Sequence, residues 1–302
     1  MASTREILER IHSIQDTQKI TNAMYMISST KLKKAKKNLE STEPYFYTLQ
    51  NMITRILRHL PLDVHSQFFH TRPDRVGKDR KRGLIVVTGD KGLAGAYNHN
   101  VLKLASEWLE EEGENSLFVI GELGRQYFLG RGIPIDTHFQ YTAQDPNMSR
   151  ARRITEQMIE LFCTRGLDEV WIVYTQMVNG MQTEAKRYKL LPLTRAQFAK
   201  IPLDVHLEEY TMKPSPKEVL DHIIPNYMTG FVYGALVESF CSEQNARMMA
   251  MQAATDNANA MLRELSVSYN RMRQAAITQE ITEVISGARA QKQKRKRKER
   301  LR

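Results

Sequence analysis

Cysteine is nearly absent, with Cys163 and Cys241 the only two in 302 residues. Thiols so few and so far apart build neither a disulfide framework nor a zinc site, and their scarcity favours a reducing compartment. No apolar run approaches the roughly 20 residues that cross a bilayer. The opening Met1-Ala2-Ser3-Thr4-Arg5-Glu6 lacks the apolar core of a secretion signal. The expectation is a soluble protein of a cytoplasm or equivalent compartment. Catalytic signatures are missing too: there is no G-x-S-x-G elbow, no H-E-x-x-H helix and no carboxylate pair set for acid and base roles. His65 and His70 show no metal-ligand spacing. No catalytic, cofactor-binding or metal-binding residue is assigned, and the chain does not read as an enzyme in its own right.

Proline is missing over residues 226–286, where the only glycines are Gly230 and Gly234. Helical throughout, that stretch makes a rod of roughly 90 Å at about 1.5 Å per residue, too long for one compact domain to enclose. Apolar or small residues recur at Met251, Ala254, Ala258, Met261 and Leu265, then drift to Tyr269, Met272 and Ala276. Steps of three and four make a narrow seam, as when one helix lies along another. Between Met248 and Leu262 the only charge is Asp256. An outer face so poor in charge is expected to meet other protein.

The N-terminal stretch is a second long helix, from Ser3 to about Leu57. Ser3 or Thr4 is placed as N-cap, and Glu6 is available to complete a capping box. Ile7, Ile11 and Ile14 form a stripe that Ile20, Met24 and Ile27 resume after a phase shift. Pro44 predicts a kink or break near Glu43, since proline inside a helix costs about 3 kcal/mol. Five lysines fall in residues 31–37 and read as a solvated face, with phosphate contact as the alternative.

Between the two helices the texture changes. Residues 61–82 are polar and read as a mobile linker. Residues 83–88, 116–120 and 170–174 are buried strands by their apolar and β-branched content. Residues 97–111, 123–129 and 149–165 are helices between them. Alternation of strand and helix implies a mainly parallel sheet, to which residues 186–191 can add an antiparallel strand. The fold class is therefore α/β: a long antiparallel coiled coil of the N- and C-terminal helices, with a Rossmann-like α/β domain inserted between them. The expected boundaries are 1–60, first coiled-coil helix; 61–82, linker; 83–212, α/β domain; 213–288, second coiled-coil helix, kinked at Pro225; and 289–302, a disordered basic tail. Antiparallel pairing would set Ile7 to Met24 beside the last turns before Ser286.

Gly89-Asp90-Lys91-Gly92-Leu93-Ala94-Gly95 follows the first strand. Its G-x-x-G-x-x-G spacing meets neither the dinucleotide nor the P-loop fingerprint, and a tight turn is the plainer reading. The net charge of +10 is concentrated: residues 291–302 carry +7, which leaves +3 for the rest. Two further readings stay open, a nucleotide-binding enzyme using residues 89–95 and a coiled-coil nucleic-acid binder using the basic tail.

Ser13-Ile14-Gln15-Asp16-Thr17-Gln18-Lys19-Ile20-Thr21-Asn22-Ala23-Met24 resembles the opening helix of the F-type ATP synthase gamma subunit family. Residues 246–258, from Ala246-Arg247-Met248 to Asp256-Asn257-Ala258, and residues 269–280, from Tyr269-Asn270-Arg271-Met272 to Gln279-Glu280, resemble its closing helix, as does Ser286-Gly287-Ala288. Residues 89–98 are similar to the family's turn after its first central strand. The resemblance implies a non-catalytic rotor shaft carrying torque between a membrane ring of c subunits and a hexamer of alpha and beta subunits. One copy would stand in each complex, with epsilon beside the α/β domain and catalytic sites on beta. It places the protein peripherally at the cytoplasmic face of a bacterial inner or other energy-transducing membrane. No cofactor and no nucleic acid is implied. By position, Met24 lies where the shaft passes the lower lobe of beta. Arg273, Gln274, Thr278 and Glu280 lie in the segment that meets the hexamer's inner loops, and Lys31 and Lys33 match contacts for acidic beta residues. The basic run after Ala288 departs from most relatives, which stop a few residues beyond it.

Overall fold

A computed structural model describes residues 4–59, 66–75, 77–178, 182–199 and 212–299. The expected Ser3 cap, His65, most of the 202–216 connection and the last three residues fall outside them. The elements in order are α1 (Thr4–His59), β1 (Lys81–Val87), α2 (Tyr97–Leu109), β2 (Glu114–Ile120), α3 (Glu122–Gly130), α4 (Met148–Cys163), β3 (Glu169–Met177), β4 (Thr183–Leu191), α5 (Arg195–Ala199) and α6 (Pro216–Glu299). The α/β insert lies in sequence between the two long helices. By contacts the chain forms two compact units, Met1–Tyr25 with Met251–Arg302, and Met26–Ala250. The second boundary set differs from the expected one, because residues 26–59 of α1 and 216–250 of α6 pack into the same unit as the sheet.

In the first unit the helices are antiparallel. Thr21 Oγ1 lies 2.8 Å from Thr255 Oγ1, and Gln18 Nε2 donates to Asn259 Oδ1 at 2.7 Å. Ile7 and Thr21 are buried on α1, with Ile11, Ile14, Gln18 and Met24 half-buried; on α6 the inward positions are Met251, Thr255, Ala258, Leu262, Leu265, Tyr269 and Met272. The α6 run keeps strict alternating steps of four and three, a 3.5-residue period, and the α1 run does so from Ile7 to Thr21 before a further step of three to Met24. Four expected seam positions fail. Ile20 is 61% exposed, Ile27 56% and Met261 51%, Ala276 is exposed as well, and Gln18, Thr21 and Leu262 take inward places. A phase shift would have to occur in both helices at once. Keeping phase lets the isoleucine layers stand, and the buried polar groups are satisfied by one another. The pairing also sets Ile7 to Met24 opposite roughly residues 252–270 rather than the turns before Ser286.

In the second unit the sheet order is β2-β1-β3-β4, with β1 parallel to β2 and β3, and β4 antiparallel to β3. Alternate residues of β1 serve opposite faces, as the pleat requires. Leu84 and Val86 join Val101, Trp108 and Phe128 under α2 and α3. Ile85 and Val87 join Ile154 and Phe162 of α4, Ile53 and Ile56 of α1, and Ile224 and Val232 of α6.

The helices run through their prolines. Pro44 lies inside α1 and Pro225 inside α6, so the expected break at Glu43 does not occur. Leu49, Ile53, Ile56 and Leu57 are buried just beyond Pro44, and four such side chains at about 1.5–3 kcal/mol each exceed the proline's cost of about 3 kcal/mol. The start of α6 is a serine N-cap that reading a start at Lys217 missed. Ser215 Oγ accepts from the Glu218 amide at 3.3 Å and donates to Glu218 Oε1 at 3.1 Å, with Pro216 as first helical residue.

The described part of the linker is pinned rather than mobile. Phe68 is buried in the core, and Ser66 donates to Asp221 at 2.6 Å. Arg72 donates to Asp168 at 2.9 Å, to the Leu167 carbonyl at 2.6 Å and to the Phe162 carbonyl. Burial alone would raise the Asp168 carboxyl. The Lys81 amide, Arg72 and Arg75 outweigh that and hold it below its ordinary value. At the other end α6 stays helical to Glu299, where a disordered tail was expected from residue 289. Ala, Gln, Lys, Arg and Glu are strong helix formers, and neither glycine nor proline follows Gly287.

Candidate interaction surfaces

Among the described residues, no group of three or more His, Cys, Asp or Glu could hold a metal ion. No helix among them is long and apolar enough to cross a membrane. The glycine-rich loop, the one candidate for a phosphate cradle, turns its acidic side chain onto neighbouring backbone. Asp90 Oδ1 accepts from the Glu122 amide at the start of α3 at 3.0 Å. Its Oδ2 accepts from the Ala143 and Gln144 amides at 3.0 and 3.3 Å and from the Thr142 hydroxyl. A carboxylate of the chain thus sits on the N-terminus of α3, while α2, the helix that follows the loop, starts after Ala96 with no side-chain cap. The Gly89 amide donates to Asn98 Oδ1 at 2.8 Å.

The opposite side of the loop rests on α6. The Arg247 guanidinium donates to the Lys91 carbonyl at 3.0 Å and the Gly92 carbonyl at 3.1 Å, and pairs with Glu243 one turn earlier at 2.6 Å. Both side chains are buried. Burial pushes the Glu243 carboxyl up, against the pull of Arg247 and of Lys31 on α1. Gly89 leaves no room here, since a Cβ would come within 3.1 Å of that carboxylate. Leu93, at φ 63°, projects from the loop 63% exposed. Sequence reading singled out the loop and quoted Arg247, but nothing local in either segment says that they meet.

The expected contact residues lie on helix surfaces. Met24 is half-buried. Lys31 is half-buried and lines a cavity of about 290 Å³ with Lys34, Asn38, Asp145, Asn147 and Phe240, whereas Lys33 points to solvent. Arg273, Gln274, Thr278 and Glu280 are all exposed, and Thr278 Oγ1 donates to the Gln274 carbonyl at 2.9 Å. The structure does not bring the two groups of the first unit together. Met24 sits near the level of residue 252, about 30 Å along α6 from Arg273 at 1.5 Å per residue. A signal that sequence reading passed over is apolar. Past Met272 every described side chain of α6 is exposed, and Ile277, Ile281, Val284 and Ile285 form a stripe at helical spacing. With Ile20 and Met261 exposed as well, the first unit shows outward apolar faces that a lone helix pair does not need.

Comparison with known proteins agrees with a surface-borne role. The profile of a family described as ATP synthase matches residues 3–291. The chain is 45% identical over 293 residues to the ATP synthase gamma chain of Ruminiclostridium cellulolyticum, covering 95% of this chain and 98% of the relative. It is 37% identical over 304 residues to the sodium ion specific ATP synthase gamma chain of Acetobacterium woodii, covering 95% and 98%. A chain in the OSCP/F1/c-ring structure of the Euglena gracilis mitochondrial ATP synthase shares the fold at a TM-score of 0.62 and 16% identity, covering 95% of this chain and 94% of that one. The chain therefore belongs to the family of ATP synthase gamma chains.

Proposed function

We propose that this protein is the central rotor shaft of a rotary F-type ATP synthase, a non-catalytic subunit that carries torque between a membrane ring of c subunits and a hexamer of alpha and beta subunits. Family membership supplies the class. The observation that carries the mechanical reading is the pair of long antiparallel helices whose outward faces stay apolar, as a shaft held inside a protein sleeve would require. Catalytic sites belong to beta, which accords with a glycine-rich loop whose spacing meets neither nucleotide-binding fingerprint. Met24, Lys31, Lys33, Arg273, Gln274, Thr278 and Glu280 are its rotor–stator contacts, and epsilon attaches at the α/β insert. The complex holds the chain peripherally at the cytoplasmic face of an energy-transducing membrane.

Such a shaft must bind several angular states with similar energy, because a partner shifts conformations only through differential affinity. Exposed methionine and isoleucine make few angle-specific bonds. Co-purification from membranes tests the assignment. The tagged chain is expected to bring down alpha and beta at three copies of each per shaft, and recovery of the chain without them overturns it.

A further inference from the structure

Residues 89–95 look like a ligand loop in sequence, yet both sides of the loop are fastened to the chain itself. Asp90 is tied to the first turn of α3 and to the 142–144 turn through three amides and a hydroxyl. Two residues on, the carbonyls of Lys91 and Gly92 are tied to α6 through the buried Arg247. At about 3.3–3.6 Å per residue, the segment from Asp90 to Gly92 spans at most about 10 Å and holds no slack. Charge-assisted bonds at both fastenings are the stronger class of hydrogen bond.

We propose that this loop is a strut, with Asp90 and Arg247 as its two positioning residues, that makes the sheet insert and α6 turn as one body. The inference rests on the rotor reading. A force on α6 at Arg247 reaches α3 and the end of β1 over three residues, a path separate from the side-chain packing and the Ser239 and Ser242 hydrogen bonds that join α6 to Thr175 of β3. Glu243 orients the guanidinium from the preceding turn, and Gly89 keeps the strand end close enough for the carbonyls to be reached.

Two measurements on the full chain test this. Hydrogen exchange of the free protein reads the fastening directly. In Arg247→Ala the amides of Gly89 and Leu123, hydrogen-bonded to Asn98 Oδ1 and to the Gly89 carbonyl beside the fastening, are expected to exchange at least tenfold faster, with α2 and β3 unchanged. Arg247→Leu combined with Glu243→Leu repeats the test without stranding a buried carboxylate. Asp90→Asn should speed exchange at Glu122, Ala143 and Gln144. In the complex reconstituted into liposomes, the same variants are expected to lower ions pumped per ATP hydrolysed at least threefold, while subunit stoichiometry and hydrolysis stay near wild type, with Arg247→Lys in between. Unchanged exchange at Gly89 and Leu123 in both Arg247 variants overturns the strut. So does faster exchange with pumping per ATP at the wild-type value. Failure of the wild-type chain to assemble with alpha and beta sinks the rotor reading instead, and leaves the exchange result to decide the fastening.

Discussion

Glu238 is the least comfortable acid of α6. Its Oε2 is buried without a hydrogen-bond partner, Glu43 of α1 adds negative potential, and Lys186 of β4 only partly offsets it. Burial first, then Glu43, pushes its carboxyl up to about 7. Glu43 is held on its own helix, accepting from the Tyr47 hydroxyl at 3.0 Å. Tyr174 and Cys241 feel Glu238 as well, and both are themselves raised by burial. A carboxyl raised in the folded state favours folding most when protonated. Its contribution is whole below the ordinary carboxyl range and is lost as pH climbs through about 7. Partial solvent access limits that loss to about 1–2 kcal/mol. Glu238→Gln should therefore flatten the fall in unfolding free energy between pH 5 and 8 in denaturant titrations on this scale. A variant that keeps the wild-type slope refutes the assignment.

At the scale of elements, α6 contains two glycines whose settings are opposite. A Cβ on Gly230 would lie 1.8 Å from the Phe46 ring of α1, while one on Gly234 would meet nothing within 4 Å. Gly230 is thus where the Phe46 ring of α1 lies against the α6 backbone, and Phe46 also packs near Tyr233 at 6.4 Å between centroids. Gly230→Ala is expected to destabilise by about 1–3 kcal/mol through overpacking despite better helix propensity. Gly234→Ala should stabilise by up to about 1 kcal/mol, since propensity acts there alone. Thermal melts of the two variants shifting in the same direction would contradict this geometry. The N-cap at Ser215 and the in-phase polar layers at Gln18 and Thr21 follow the same logic. Each element ends or pairs where its backbone and buried polar groups find partners.

For the whole molecule the rotor reading predicts how force and assembly separate. Met24→Lys places a charge on a half-buried position of the helix pair, where it would find partners at some shaft angles and not at others. It is expected to lower ion pumping by reconstituted complex several-fold more than it lowers ATP hydrolysis, and equal losses would remove Met24 from the contact set. The basic extension bears on assembly alone. Deleting residues 291–302 takes away +7 of the net charge, yet leaves the apolar stripe of Ile277, Ile281 and Val284 in place. Recovery of alpha and beta with the truncated chain should stay within about twofold of wild type at 0.15 M salt, where exposed charges more than about 8 Å apart are screened. Loss of the complex would make the extension a docking segment.

What the sequence determined by itself is local in origin. Helix and strand types, the parallel order of the insert, the antiparallel fourth strand and the 3–4 spacing of the seams all come from periodicity, which a chain carries in each short window. The tertiary structure decided everything that depended on a distant partner. It put Gln18 and Thr21 inside where Ile20 would have been chosen, because their partners Asn259 and Thr255 lie more than 230 positions away. It fastened Arg72, Arg75 and Lys81 of the polar stretch to Asp168, and it turned a glycine-rich loop into a fastening by bringing Arg247 to it. Hydrogen bonds and buried charges are satisfied pairwise across space, so their roles become legible only when both members are in view.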